Sequence, residues 1–189
     1  MGKRYDERRS KVRIRNVIRM EEEIVNRVAQ SSLVVFDLED YFPNEKRVVL
    51  DISQWLYEGF VLREKEFRVA LKDIDWSVYQ NQLVALTCTT DAILPSWAFM
   101  LVSSYLQPFA KKVVQGSLHD LDKAFYQKVI DDLDFSQYLD QPVIIKGCAK
   151  KAIPEESYVM ATQKMMHYAR SIMFGEACSA VPIFKKGKK

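Results

Sequence analysis

With 189 residues, 48% apolar and 28% charged, the chain has the length and balance of one well-cored domain. No run approaches the roughly 18–20 apolar residues of a membrane helix, and Met1-Gly2-Lys3-Arg4-Tyr5 leads into charge rather than an apolar leader, so a cytoplasmic protein is expected. Net charge is +3 but uneven: eight Lys and Arg lie in residues 1–20 and four Lys in residues 185–189, which leaves 16 basic against 23 acidic residues elsewhere and disfavours specific nucleic-acid binding by the folded part.

Residues 1–10 read as a disordered basic extension, residues 11–184 as a single α/β domain and residues 185–189 as a basic tail. Ile14, Val17, Ile18, Ile24, Val25 and Val28 recur at helical spacing, predicting an N-terminal helix over Lys11–Ala29. Residues 33–38 and 47–52 read as two strands around a turn at Pro43-Asn44, a short hairpin. Between them and the next helix, Trp55, Leu56, Phe60, Val61 and Leu62 are expected to be buried. A helix follows from Glu64 to Ile74, then an apolar strand over Leu83–Thr87, of the kind buried on both faces. Pro95 opens a helix to Gln107, and Lys112–Gln115 is a strand closed by Gly116. Ser117 and Asp120 have capping-box spacing for a helix to about Leu133. A strand over Val143–Lys146, a helix from Pro154 to about Arg170 and a strand over Ile172–Phe174 complete the pattern, with Val181–Phe184 extended. Strands alternating with helices predict a single mostly parallel sheet flanked by helices.

An internal repeat runs through this pattern. Asp73-Ile74-Asp75-Trp76-Ser77-Val78-Tyr79 matches Asp132-Leu133-Asp134-Phe135-Ser136-Gln137-Tyr138 at an offset of 59. Gln82 meets Gln141, Ala110 meets Ala169 and Gly116 meets Gly175. Repeat one spans about 64–119 and repeat two about 123–178. The repeat pairs Cys88 with Cys148 after a one-residue slip, and His119 with Cys178.

Three cysteines, an odd number, read as thiols or ligands rather than a disulfide framework. Parallel strands end at one edge, where α/β proteins bind ligands. Cys88, Cys148, Cys178 and His119 all follow predicted strand ends, so they are candidate ligands for a metal centre, zinc or an iron–sulfur cluster. Inert packing of small cysteines at strand ends is the alternative. Asp91 behind Cys88, and Lys146 and Lys150 around Cys148, would suit a small anionic substrate beside the metal; solvated loops would carry the same residues. Glu176, two residues before Cys178, is a candidate base or ligand partner. Asp37, Glu39 and Asp40 are weighed as a hard-cation site against acids that face water. Metal-free thiol redox or sulfur-transfer chemistry and a non-catalytic interaction module remain as rival functions. There is no GxxxxGK[ST], no GxGxxG after a strand, no GxSxG and no HExxH, which disfavours nucleotide kinases, dinucleotide dehydrogenases, serine hydrolases and zincins.

The stretches Leu83–Ala98, Val143–Cys148 and Phe174–Ile183, with Phe36–Tyr41 and Asp51–Trp55, resemble a family of uncharacterised proteins from Bacteroidetes, over about residues 22–186. That family is a domain of unknown function, so the resemblance implies no reaction. It implies the three cysteines as shared features, with no fixed histidine at His119. The absence of a fixed histidine implies three thiolates with an open or exogenous fourth position, and an association of the family with iron–sulfur assembly proteins implies iron–sulfur over zinc.

Overall fold

The computed structural model describes residues 33–147, 150–176 and 179–187. They fall in one compact unit that begins at Leu33. The extension expected over residues 1–10 and the helix expected over Lys11–Ala29 lie outside the described residues.

The fold is mixed α/β with mostly parallel strands, but they form two sheets rather than the single one expected. The first sheet joins β2 (Arg47–Asp51), β3 (Leu83–Thr87) and β4 (Lys112–Gln115), all parallel, in the order β2-β3-β4. The second joins β1 (Val34–Phe36), β5 (Pro142–Ile145), β6 (Ser171–Glu176) and β7 (Ser179–Lys185), in the order β1-β5-β6-β7, with only β7 antiparallel. The expected hairpin of β1 and β2 is absent because each strand goes to a different sheet. The chain between them turns through a 3-10 helix at Leu38–Tyr41, capped by Asp37, instead of doubling back.

Burial explains the split. Val84 and Leu86 on one face of β3 pack against α1 (Glu64–Lys72) and α2 (Ser96–Leu106) through Phe67, Leu71, Ala98, Val102 and Leu106. Leu83 and Ala85 on the other face meet Leu121 of α3 (Leu118–Asp132). Thus β3 is apolar on both faces because helices cover both. The other stripe of α3, Tyr126 and Ile130, packs with Ala161 and Met165 of α4 (Glu155–Met165) over Val143, Ile145 and Ile172 of the second sheet. The same helix therefore serves both cores, with apolar residues on two sides rather than one. It also carries Asp122, 7% exposed, which accepts a 2.6 Å hydrogen bond from Arg47 of β2.

The two Asp-x-Asp-aromatic-Ser-x-Tyr runs fold alike. Asp75 accepts from Ser77 N–H (3.0 Å), and Asp134 from Ser136 N–H (2.8 Å), each at a 3-10 turn that buries its aromatic, Trp76 or Phe135. Beyond the turns, Asn81 and Asp140 both adopt left-handed backbone, at φ 57° and 53°. Asn81 N–H donates to Phe109 and Asp140 N–H to Tyr168, each at 2.9 Å. Lys111 N–H donates to Gln82, and Arg170 N–H to Gln141, again at 2.9 Å.

Ser117 and Asp120 form the expected capping box. Gly116 is required there: its φ is 138°, and a Cβ would stand 2.6 Å from Asp120 Oδ2. Phe60 and Val61 are exposed (62% and 52%), not buried as expected. Paired bonds between Tyr57 and Val61 (2.9 and 3.0 Å) close a tight turn through Glu58 and Gly59, both at positive φ, which lifts Phe60 off the body.

Candidate functional site

The C-terminal ends of the parallel strands carry two polar clusters, one on each sheet. On the first sheet, Asp51 ends β2 and accepts from Ser53 N–H at 2.9 Å, an aspartate cap. It also accepts from Thr89 N–H (3.2 Å) and Thr89 Oγ1 (2.5 Å), which follow Cys88 at the end of β3. Burial raises the Asp51 pKa, but the hydrogen bonds from Thr89 and Ser53 outweigh it and hold the carboxyl at about 2. The Cys88 thiol, half-buried, lies 3.5 Å from the Thr90 carbonyl as donor and 3.4 Å from Thr90 Oγ1, which donates to the Gly59 carbonyl at 2.8 Å. The loop past β3 is thus tied to the end of β2 and to the turn carrying Phe60. Asp91, exposed, lines a cleft of about 580 Å³ with Phe60, Leu62, Glu64, Ile93 and Trp97.

On the second sheet, Asp37 follows β1 and caps its own turn by accepting from Glu39 N–H at 2.9 Å. Its other oxygen accepts from Lys146 Nζ at 2.5 Å, directly after β5. Glu39 Oε1 accepts from the backbone N–H of Lys150 and of Lys151, the latter at 2.8 Å, and Lys151 Nζ reaches the Glu39 carbonyl at 3.2 Å. The Lys146 ammonium is held above its ordinary range, first by its hydrogen bond to Asp37, then by the charges of Asp37, Glu39 and Glu176 working against partial burial. Glu176, at the end of β6, has a buried Oε1 with no hydrogen-bond partner among the described residues. Gly147 lies against the neighbouring strand: a Cβ there would stand 3.0 Å from Phe174 Cζ and 3.2 Å from Gly175 Cα.

The structure brings Lys146, Lys150 and Glu176 to one cluster and places Cys88 and Asp91 on the other sheet. Cys148 and Cys178 lie outside the described residues. His119 sits in the first turn of α3, exposed, with Nε2 3.1 Å from Glu156 Oε1 at the start of α4. Lys123 approaches the same carboxylate at 3.5 Å. Since α3 follows β4 and α4 follows β5, these contacts put loops from both sheets at one end of the molecule. Among the described residues, no group of three or more His, Cys, Asp and Glu is placed to hold a metal ion. No helix among them is long and apolar enough to cross a membrane.

Sequence reasoning missed the anchoring acids. Asp37 and Glu39 were weighed as a hard-cation site or as water-facing, and Asp51 was not singled out. Asp37-Leu38-Glu39 and Asp51-Ile52-Ser53, each directly after an apolar strand, carry the signal: an aspartate whose side chain receives the N–H two residues on.

A family model described as "Protein of unknown function (DUF2480)" matches residues 22–186, and the chain belongs to that family. No curated protein and no solved structure matches the chain.

Proposed function

We propose that the protein holds a metal centre, an iron–sulfur cluster or zinc, at the C-terminal ends of its parallel strands, with Cys88, Cys148 and Cys178 as thiolate ligands. The observation that carries this reading is the close approach of Gly147 to the neighbouring strand, where a Cβ would stand 3.0 Å from Phe174 Cζ and 3.2 Å from Gly175 Cα. Cys148 directly follows Gly147 in the sequence, and Cys178 comes three residues after Gly175; in this reading the two cysteines are ligands to one centre. Parallel register of Ile145 with Phe174 supports the same placement. Glu176 adds a buried carboxylate oxygen that lacks a partner, an acceptor suited to a cation or to a ligand's proton.

Cys88, which ends a strand of the first sheet, is included as the counterpart of Cys148 in an internal duplication, which the bonds matched at an offset of 59 support: Asn81 with Asp140, Phe109 with Tyr168, Gln82 with Gln141, Lys111 with Arg170. In that relation Cys88 corresponds to Cys148 after a one-residue slip. The relation ends after the paired glycines, where α3 follows β4 but a hairpin strand follows β6. In this reading His119, 3.1 Å from Glu156, is not counted among the ligands. Three thiolates leave a fourth position for a small anionic substrate, drawn by Lys150 and Lys151, or for a protein of iron–sulfur assembly.

Elemental analysis and a UV–visible spectrum of protein purified without oxygen test this reading. Iron with broad absorption at roughly 400 nm identifies a cluster, and zinc without colour identifies a zinc site. Cys148→Ser and Cys178→Ser each lose the metal; full occupancy in Cys148→Ser overturns the proposal. A second reading is metal-free thiol chemistry, in which the Cys88 thiol, hydrogen-bonded to the Thr90 carbonyl, stays inert while one other cysteine reacts. Absence of metal together with one fast-reacting cysteine would establish that reading instead.

A further inference from the structure

We infer that Asp37 with Glu39 on one sheet, and Asp51 on the other, are positioning residues that fasten the two cysteine-bearing loops and set how freely each cysteine is exposed. The inference rests on the metal reading only in that these cysteines are its proposed ligands. The two acid sets are built alike. Each begins with an aspartate at the end of an edge strand, Asp37 directly after β1 and Asp51 as the last residue of β2, and it caps a 3-10 turn through one oxygen. Each aspartate then reaches across to the loop that leaves the neighbouring strand. Asp37 Oδ2 takes Lys146 Nζ at 2.5 Å, and Asp51 Oδ2 takes Thr89 Oγ1 at 2.5 Å.

The two loops are held on different sides of their cysteines. Around Cys148, Asp37 grips Lys146 two residues before, and Glu39 accepts from the N–H groups of Lys150 and Lys151 two and three residues after. Past Cys88, Asp51 takes the N–H and hydroxyl of Thr89, and the Gly59 carbonyl takes the Thr90 hydroxyl. A carboxylate that collects two backbone N–H groups does for a loop what a cap does for a helix: it removes the alternative conformations those groups would adopt in water. Charge strengthens the bonds, since every donor on these carboxylates meets an ionised acceptor. Ser53 Oγ, 3.3 Å from Thr89 Oγ1, adds a further contact on the first sheet. The acids therefore act through the loops and need not touch a bound metal or substrate.

The crossed experiment measures the alkylation rate of each cysteine by mass spectrometry, in the full chain stripped of metal with a chelator. Glu39→Ala raises the Cys148 rate about three- to tenfold, the change in local opening expected from losing one or two such bonds, and leaves Cys88 unchanged. Asp51→Ala does the reverse. Glu39→Gln, which keeps an acceptor oxygen, falls between wild type and Glu39→Ala, a rescue that simple destabilisation of the fold would not produce. If either alanine variant lacks a cooperative melt, Glu39→Gln and Asp51→Asn carry the same crossed comparison. Equal changes at both cysteines in each variant, or no change at either, overturn the inference. Elemental analysis of the wild-type chain purified without oxygen separates the two proposals: absence of both iron and zinc overturns the metal reading, while the alkylation rates still decide the positioning role.

Discussion

Asp51 shows how much a single side chain organises at the strand ends. Hydrogen bonds from Thr89 and Ser53 outweigh its burial and hold its pKa at about 2, below an unfolded value of about 3.9. A carboxyl depressed in this way stabilises the fold above its unfolded pKa, and that contribution disappears as pH falls through the folded value. The difference in unfolding free energy between wild type and Asp51→Asn is therefore expected to be constant above roughly pH 5 and to shrink between roughly pH 4 and pH 2. Urea unfolding across that range checks it; a difference that stays constant down to pH 2 refutes the assignment. Gly116 is the second sensitive position. Its backbone lies at φ 138° and a Cβ would collide with Asp120, so Gly116→Ala both strains the turn and breaks the capping box. A loss of about 1–3 kcal/mol is expected from the urea midpoint, given the usual cost of such strain. The capping box itself was legible in the sequence because its chemistry spans four adjacent residues. The anchoring by Asp37, Glu39 and Asp51 was not, because it joins residues 38 to 112 positions apart.

At the level of elements, α3 decides the architecture. It presents Leu121 to the first sheet and Tyr126 and Ile130 to the second, while its Asp122 binds Arg47 of β2. Asp122→Ala would leave Arg47 partly buried without its partner, and is expected to destabilise by about 2–4 kcal/mol, near the lower range for breaking such a pair. Asp122→Asn, which keeps the packing and an acceptor for Arg47, is expected to cost less; equal losses in the two variants would show that the charge itself, not packing or the neutral hydrogen bond, governs the site. The helices and strands themselves were legible from periodicity, since burial on one or two faces writes itself into local spacing. The number of sheets was not. Four short apolar strands fit one parallel sheet or two equally well, and the choice depends on a helix with apolar residues on two sides. Phe60 and Val61 were misjudged for a related reason: their apolar character suggests burial, but the positive φ at Glu58 and Gly59 turns them outward.

For the molecule as a whole, the cores predict a gradient of stability. β3 and β5, central in their sheets, hold residues 0–1% exposed. Their amides are expected to exchange hydrogen most slowly, and those of residues 57–61 fastest, with protection measured residue by residue in native conditions. Uniform protection across both regions would contradict two cores joined through one helix. The repeat was legible in the sequence through Asp73–Tyr79 and Asp132–Tyr138, yet its end was not, because β7 and α3 occupy corresponding places in the chain with unlike structures. The pairing of β1 has a temporal consequence. On a ribosome, β2, β3 and β4 emerge in succession and can associate as they appear, but β1 must wait for β5, with Val34 set beside Val143. For most of synthesis β1, the first strand among the described residues, therefore has no partner in its own sheet.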